Sequence, residues 1–369
     1  MQSEKLQKEI DSARAEIRTD GYVQSIGEWI SLYEKNEIYI SPAFQRFFRW
    51  IPEQKSRLIE SILLGIPIPP IFVAQREDNI WEVIDGLQRL STIYEFVGIL
   101  KNKGGEVQQP LRLTGTKYLP SLEGILWESE DPSKCLSMEQ RVQIKRSKIG
   151  VSILLTANEG RGKYELFQRL NTGGTALSDQ EVRNAIMVML DEKFFDVVAK
   201  MAEFEPFLEC VSLSDNSLKE RYDMDLVTRF IVLRNSTEKD LSNIGDLNIF
   251  LNDRIVDIIE SGSFDLDNEV RVFQHTFSSL YEEVGSDCMK RYSEKKGKFE
   301  GGFVISAFET VALGLSHNIE KIAQFKGSVR KMIIDLWSNY KITGSAGMRA
   351  STRIPQTVMT GRNFFKGED

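Results

Sequence analysis

The segment VIDGLQRLST, residues 83–92, brings an acid, a glycine and an arginine together where an apolar run ends and a helical pattern begins. Asp85 and Gly86 stand at this junction, and Arg89 follows one helical turn later. Free backbone N–H groups at a helix start attract anions, and a guanidinium adds a planar set of donors for phosphate oxygens. The segment therefore predicts a phosphate site in which Asp85 holds a metal ion, orients a water molecule or pairs with Arg89.

A purely structural interpretation of the same segment needs no ligand. In it, Asp85 caps the N-terminus of the helix, and Arg89 is its ion-pair partner four residues on. Both residue types are common in these structural roles. The segment by itself leaves the two interpretations open.

Two further segments carry a glutamine–arginine pair beside residues suited to ligand binding. SPAFQRFFRW, residues 41–50, places Gln45 and Arg46 among four aromatic side chains. FQRLNTGGTALSDQE, residues 167–181, supplies Arg169, Asn171, Thr172, Gly173 and Gly174. Glycines in such a loop let backbone amides approach a ligand, although each segment also fits an ordinary turn or surface pair. No segment matches the Walker A motif.

The composition is that of an ordinary folded protein. The chain has 369 residues, of which 41% are hydrophobic and 27% charged, which is enough for two domains with their own cores. Three cysteines and two histidines are far apart, so we expect neither a disulfide framework nor a zinc site. The N-terminus lacks the apolar core of a signal peptide, and no segment reaches the roughly 18 apolar residues of a membrane span. We therefore expect a cytoplasmic protein with no membrane partner.

The net charge of the chain does not exclude DNA as a partner. The formal net charge of −7 argues against a protein that coats nucleic acid, but a local basic surface can still contact phosphates. One candidate for DNA contacts is RVQIKRSK, whose basic residues are Arg141, Lys145, Arg146 and Lys148. KRYSEKKGK, residues 290–298, and the basic residues of the C-terminal tail are others. Each of these segments fits plain solvated charge equally well.

The hydrophobic patterns divide the chain into two parts. In the first part, IFVAQ and IWEVI flank a turn typical of a β-hairpin, and PLRLTG and KIGVSILL predict further strands. EQKSRLIESILL predicts a helix that begins at Pro52. From residue 178 onward the pattern is almost entirely helical, apart from a Gly-, Ser- and Thr-rich tail that we expect to be extended.

The order of these segments resembles a known family. An FQR segment followed by tryptophan, then LIESILLGIPIPPIFV, VIDGLQR and FQRLNTGGTALSDQEVRNA, resembles the family called domain of unknown function 262. This family is the GmrS-like N-terminal part of GmrSD-type restriction systems and is related to the ParB and sulfiredoxin fold. The resemblance covers about residues 20–190, and the ordered combination is far more specific than any single motif. The family usually has DGQQR where this chain has DGLQR, so Leu87 departs from the pattern.

The resemblance implies a nucleotide-binding domain that hydrolyses NTP and acts in the restriction of phage or modified DNA. It gives Asp85 the position that holds a metal ion or a water, and it gives Arg89 the neutralisation of phosphate charge. The nucleotide-binding residues indicated by the resemblance or by the loop chemistry are Gln45, Arg46, Gly86, Gln88, Arg169, Asn171, Thr172, Gly173 and Gly174. Mg²⁺ is the expected cofactor, because a carboxylate and phosphate oxygens are its usual ligands.

Pattern and resemblance together predict an α+β chain in three parts. Residues 1–20 form a helical extension, residues 21–190 a small mixed-sheet ParB/sulfiredoxin-like domain, and residues 191–369 an all-α helical domain that ends in an extended tail. Many relatives carry a C-terminal HNH nuclease, but His275 and His317 lie in helical patterns without clustered partners. We therefore expect any DNA cleavage to come from the N-terminal domain or from a separate nuclease subunit.

The sequence leaves three classes of function open. The first is a defence NTPase whose nucleotide hydrolysis gates DNA cleavage or nicking, by itself or through a partner nuclease. The second is a non-hydrolytic, ParB-like switch in which nucleotide binding changes the contacts with DNA. The third is a DNA-modification sensor with a degenerate pocket, for which Leu87 is the hint. A homodimer is also left open.

Overall fold

The computed structural model divides the chain into two compact units. Unit 1 comprises Met1–Ala176 and unit 2 comprises Leu177–Asp369. The structure describes residues 5–7, 19–40, 50–102, 104–155, 179–325, 328–339 and 348–366. Within these residues, no helix is long and apolar enough to cross a membrane. The prediction of a mixed-sheet part followed by a mostly helical part is confirmed.

Unit 1 is built on a mixed five-stranded sheet. Its strands are β1 (Thr19–Ser25), β2 (Ile38–Tyr39), β3 (Ile71–Gln75), β4 (Trp81–Asp85) and β5 (Lys148–Leu154). They are ordered β1-β5-β3-β4-β2; β1 with β5 and β3 with β4 are antiparallel, whereas β5 with β3 and β4 with β2 are parallel. The β-branched side chains of the inner strands, such as Val73 and Val151, are buried in the core.

Four α-helices of unit 1 lie wholly within the residues that the structure describes. They are α1 (Ile26–Glu34), α2 (Pro52–Leu63), α3 (Leu87–Val97) and α4 (Met138–Arg146). The predicted helix start at Pro52 is confirmed, because the proline ring fits the first helical turn and lacks an N–H that would have no partner there. Tyr94 of α3 donates a hydrogen bond from its hydroxyl to the Trp29 carbonyl at 3.0 Å, and both side chains are fully buried.

The predicted hairpin is confirmed, but one predicted strand is wrong. β3 and β4 pair antiparallel, and Asn79 in their connecting turn has the positive φ of 62° that asparagine tolerates. PLRLTG forms no strand. Its backbone instead bonds within a local loop, where the Leu113 N–H donates to the Ile125 carbonyl and the Gly124 N–H donates to the Leu113 carbonyl. The alternating apolar residues of this segment are buried in the core, but they do not form a β-strand.

Unit 2 is mostly helical. Its α-helices are α5 (Asp179–Leu190), α6 (Glu192–Ala202), α7 (Glu205–Val211), α8 (Asp215–Lys219), α9 (Tyr222–Asn235), α10 (Glu238–Ser242), α11 (Leu247–Glu260), α12 (Leu266–Val284), α13 (Ile305–Ala307), α14 (Leu313–His317), α15 (Val329–Asn339) and α16 (Ala350–Phe364). A π-helical turn, Phe308–Ala312, joins α13 to α14. The core is rich in aromatic rings, and Phe230, Phe273 and Phe277 pack against one another with centroids 4.6–5.8 Å apart. A two-stranded antiparallel ribbon, β6 (Arg291–Ser293) and β7 (Lys298–Glu300), was not predicted from the sequence.

The prediction of an extended C-terminal tail is wrong for Ala350–Phe364, which forms α16. The helix contains Pro355 and Gly361, both poor helix formers, but tertiary packing outweighs this local preference. Arg353 donates two hydrogen bonds, of 2.9 and 2.8 Å, to the carboxylate of the fully buried Glu309. A side chain at Gly314 would collide with the backbone of Gly361, and one at Gly361 would collide with the carbonyl of Thr310.

Candidate functional site

Asp85 is the last residue of β4 and follows an irregularity in the sheet. Phe72 faces Asp85 across the hairpin, whereas Val73 faces Val83, so Ile84 is an extra residue on β4. Such a β-bulge bends the strand and changes the direction of the next side chain. The Asp85 side chain is 43% exposed, so its carboxylate is accessible at the end of the strand.

Gly86 forms the N-cap of α3 and must be glycine for two reasons. Its φ of 95° lies in the left-handed region, and an added Cβ would collide with Cδ1 of Ile71. Asp85 is therefore not the helix cap, which corrects half of the structural interpretation of this segment. Because no side chain caps α3, the N–H groups of its first turn keep their capacity to bind an anion.

Arg89 is fixed in place by three hydrogen bonds. Its Nη2 donates to Asp85 Oδ2 at 2.8 Å, and its Nη1 donates to the carbonyls of Pro69 and Pro70 at 2.5 and 2.9 Å. The predicted i,i+4 ion pair is thus confirmed. A guanidinium has five N–H donors, so two N–H groups of Arg89 remain without a partner among the described residues. Arg89 is both a structural clamp and a cation with spare donors.

Gln88 brings an unsatisfied amide to the same helix start. Its Oε1 accepts a hydrogen bond from the Trp50 backbone N–H at 3.2 Å. Its Nε2 is buried and has no hydrogen-bond partner among the residues that the structure describes. Buried polar groups are rarely left unpaired, and one without a partner is a candidate for a ligand contact. Trp50 directly follows the segment that contains Gln45 and Arg46.

The structure brings four of the predicted site residues together at one strand-to-helix junction. They are Asp85, Gly86, Gln88 and Arg89. The other nucleotide-binding candidates, Gln45, Arg46, Arg169, Asn171, Thr172, Gly173 and Gly174, lie outside the described residues. Their place at the site stays a prediction.

Leu87 departs from the family pattern without reaching the accessible side of the junction. Its side chain is buried in the core of unit 1, beneath the helix start. The exchange of glutamine for leucine at this position therefore changes the packing below α3. The exposed groups of Asp85 and Arg89 are left as they are.

The site suits a metal ion that takes only some of its ligands from the protein. Among the described residues, no group of three histidines, cysteines or acids could hold a metal ion by itself. Asp85 offers one carboxylate, and only its Oδ2 is engaged by Arg89. Mg²⁺ is commonly bound by one or two carboxylates together with substrate phosphates and water. The residues present therefore fit a magnesium ion that is bound jointly with a nucleotide.

The basic residues predicted to bind DNA in unit 1 are partly engaged elsewhere. Arg141 pairs with Glu128 at 2.7 Å, and the Lys145 ammonium lies 5.9 Å from the centroid of the Trp127 ring. Arg146 ends α4 and Lys148 begins β5, and both side chains are exposed. Lys145 is exposed as well, so three of the four predicted residues are exposed cations, and their contact with DNA stays a prediction.

The sequence did not indicate the backbone partners of the site. The carbonyls of Pro69 and Pro70, which accept from Arg89, and the N–H of Trp50, which donates to Gln88, carry no side-chain signature. A partial signal was present in GIPIPP, because proline lacks an N–H and leaves its carbonyl as its only backbone hydrogen-bonding group. Two segments of the proposed family pattern, GIPIPP and DGLQR, thus meet through one arginine.

Fold and site together define a mixed-sheet domain with an anion-suited helix start, joined in one chain to a helical unit. Residues 26–188 match the family model described as GmrSD restriction endonuclease, N-terminal domain. The match confirms the resemblance for this part of the chain and supports a role in a restriction system. No curated protein and no solved structure matches the chain. The likeness to ParB and sulfiredoxin stays a prediction.

Proposed function

We propose that unit 1 binds a nucleoside triphosphate at the start of α3 and hydrolyses it, and that this hydrolysis gates DNA cleavage or nicking by this chain or by a separate nuclease. The observation that carries the proposal is the fixed arrangement of Asp85, Gly86 and Arg89 with hydrogen-bonding capacity to spare. The family match supplies the restriction context.

Arg89 is suited to stabilise phosphate charge because it is already held in place. The hydrogen bonds to Asp85, Pro69 and Pro70 fix the plane of its guanidinium. Its two remaining donors can then meet phosphate oxygens with little loss of side-chain entropy. Fixed donors of this kind are most effective where charge develops in the transition state.

The backbone around Gly86 supplies the second set of donors. The first N–H groups of α3 have no side-chain cap, and the αL conformation of Gly86 lets a ligand approach the helix start closely. The buried Nε2 of Gln88 adds an amide donor beside them. These groups would hold the oxygens of one phosphate.

A carboxylate beside phosphates needs a specific role, and Asp85 can fill one. It would repel a bare phosphate, but it can orient the attacking water or hold Mg²⁺ through the oxygen that Arg89 leaves open. Mg²⁺ bound with the nucleotide would neutralise part of the triphosphate charge. Asp85 is also the acceptor that keeps Arg89 pointed at the same place.

A second candidate function is a nucleotide-gated switch without turnover. One observation favours it: Oδ2 of Asp85 is already engaged by Arg89, which leaves a single carboxylate oxygen for chemistry. In that case nucleotide binding alone would change the contacts of the chain with DNA. Binding without phosphate release distinguishes this function from the first.

The test is phosphate release from each of the four ribonucleoside triphosphates with Mg²⁺, with and without DNA. We expect Asp85→Asn and Arg89→Ala to lower the rate at least about 100-fold, because each removes a group at the transferring phosphate. Asp78→Asn is the matched control, since Asp78 also pairs with an arginine and is 46% exposed, but lies in the hairpin turn.

Three outcomes decide between the functions. Turnover that is lost in both site variants and kept in Asp78→Asn supports the NTPase. Nucleotide binding without turnover in the wild type supports the switch. Turnover that survives both site substitutions contradicts the proposed site.

A further inference from the structure

The β6–β7 ribbon concentrates positive charge in an acidic protein. Residues 290–300 carry five basic and two acidic residues, whereas the whole chain has a net charge of −7. The ribbon lies in unit 2, outside the family match, which ends at residue 188. It contributes no residue to the nucleotide site described above.

The register of the ribbon separates an apolar face from a basic one. The facing pairs are Arg291 with Glu300, Tyr292 with Phe299, and Ser293 with Lys298. Because side chains alternate along a strand, Tyr292 and Phe299 share one face, where their rings meet edge to face at 5.1 Å and Phe299 is buried. Arg291, Ser293, Lys298 and Glu300 belong to the opposite face, where Arg291 and Lys298 are exposed.

The tip of the ribbon adds further cations. Gly297 turns the chain with a φ of 62°, and Lys295 and Lys296 precede it with exposed side chains. Lys296 pairs with Glu300 at 2.7 Å. The side chains of Arg291 and Lys295 make no ion pair or hydrogen bond with any residue that the structure describes. Lys290 pairs with Asp287 at 3.1 Å, so an ion pair neutralises two of the five basic residues at positions 290–300.

An aromatic contact joins the ribbon to the helical body of unit 2. The guanidinium of Arg330, in the first turn of α15, lies 5.1 Å from the centroid of the Phe299 ring. Such a cation–π contact holds the apolar face against the body and adds an exposed cation beside the ribbon. The basic face is thus presented by an anchored element, unlike the charge of an unanchored loop.

We propose that the basic ribbon, residues 290–300 with Arg330, is a surface that contacts the phosphate backbone of double-stranded DNA. A two-stranded ribbon fits the major groove, and lysine and arginine supply most phosphate contacts. The choice of DNA among polyanions rests on the restriction role proposed above. The ribbon is favoured over residues 141–148 by its shape, because those residues form the end of α4 and the start of β5 and not a two-stranded ribbon.

The experiment is a salt titration of the binding of a fluorescently labelled, random-sequence duplex by fluorescence anisotropy, in the absence of nucleotide. For Lys295→Glu/Lys298→Glu we expect binding at least about tenfold weaker than in the wild type. The slope of log K against log salt should fall by about 2, since each lost phosphate contact removes about 0.9. The matched control is Lys193→Glu/Lys200→Glu, which makes the same change of charge on exposed positions of α6 in the same unit.

Several results would overturn the proposal: wild-type affinity and slope in the ribbon variant, an equal loss in the control, or no duplex binding by the wild type at low salt. If the protein bound double-stranded RNA more tightly than DNA, and the ribbon variant weakened that binding equally, the ligand of the ribbon would be RNA and not DNA. The neutral variant Lys295→Gln/Lys298→Gln, with an unchanged Tm, guards against a folding defect. Because nucleotide is absent, failure of the NTPase proposal leaves this measurement intact.

Discussion

Units 1 and 2 each contain an arginine–aspartate ion pair, and the two pairs differ in their exposure to solvent. Arg89 in unit 1 is 12% exposed, pairs with the accessible Asp85 and keeps two donors free of partners among the described residues. Arg183 in unit 2 is 2% exposed and pairs with the equally inaccessible Asp225 at 2.5 Å. Its Nε donates to Gln180, and its Nη1 lies within reach of two asparagine side chains of α11.

The difference indicates that the buried pair in unit 2 has a structural role, whereas the accessible pair in unit 1 is suited to bind a ligand. Burial lowers the pKa of the Arg183 guanidinium, and the charge of Asp225 opposes this effect, so the pair must stay intact for the cation to be tolerated. Asp225 also accepts from Arg229 at 2.6 Å, so both of its buried carboxylate oxygens are engaged by arginines. The acid of the unit 1 pair is 43% exposed, so Asp85 stays accessible to a ligand while it holds Arg89.

The largest effect should follow from removal of the buried acid. Asp225→Ala leaves Arg183 and Arg229 without their counterion, and we expect a loss of about 3–5 kcal/mol in the free energy of unfolding. Urea denaturation followed by circular dichroism measures it. Glu300→Gln, which breaks the exposed pair with Lys296, is the control and should leave the midpoint unchanged. A loss below about 1 kcal/mol for Asp225→Ala would contradict the scaffold role.

Gly86→Ala should rank next, because it acts on the backbone that holds the exposed pair. The substitution places a side chain at a φ of 95° and against Ile71, and we expect a loss of about 2–4 kcal/mol, from left-handed strain plus overpacking. Gly105→Ala is the control, since Gly105 has a φ of 81° with open space around it and should lose only about 1–2 kcal/mol. Equal losses would show that Ile71 does not restrict this position.

Glu60 tests a buried acid in unit 1 that is held mainly by hydrogen bonds, with a smaller contribution from the positive charge of Arg57. It accepts hydrogen bonds from the Thr116 hydroxyl and from the N–H groups of Tyr118 and Leu119, and the first of these contributes most to lowering its pKa. A lowered folded-state pKa means that the stabilisation is present above the unfolded pKa, about 4.3, and is lost as pH falls through the folded value.

Glu60→Gln should therefore lower the free energy of unfolding at pH 7 by about 1–3 kcal/mol. It should also flatten the loss of stability between about pH 5 and pH 3. Urea midpoints over this pH range measure both effects. Glu53→Gln, an exposed change on the same helix, serves as control. A variant with the same acid sensitivity as the wild type would show that Glu60 does not titrate in this window.

The smallest effect on stability should come from the site itself. Asp85→Asn opens a pair whose acid is 43% exposed, and we expect a loss of at most about 1 kcal/mol in the free energy of unfolding, in contrast to the large effect that we expect on phosphate release. The same urea experiment measures it. A loss as large as that of Asp225→Ala would make Asp85 part of the scaffold and would remove the contrast between the two units.

Local patterns were enough to predict the elements around the site. Pro52 at a helix start, the turn residues of the β3–β4 hairpin and the strand-to-helix change at Asp85 each act within a few residues, so the sequence displays them directly. The i,i+4 spacing likewise indicated the partner of Arg89. The elements of the junction and its ion pair were therefore predictable from the sequence.

Features that depend on contacts between distant residues could not be predicted from the sequence. The bonds from Arg89 to Pro69 and Pro70 join residues about twenty positions apart through backbone carbonyls, and the bulge before Asp85 arises only when β3 pairs with β4. The strands of the basic ribbon are three residues each, too short for a period of two to be recognised. In α16, packing overrides the preferences of Pro355 that favour an extended chain.

The position of α5 also limits how such proteins can be recombined during evolution. The family match runs to residue 188 and includes most of α5, yet α5 belongs to unit 2, where Ala185, Ile186 and Met187 are fully buried. A gene fusion that joined this N-terminal domain to a new helical partner at the end of the match would carry these apolar side chains with it. The new partner would need a groove of matching shape, so the two units are most readily inherited as a pair.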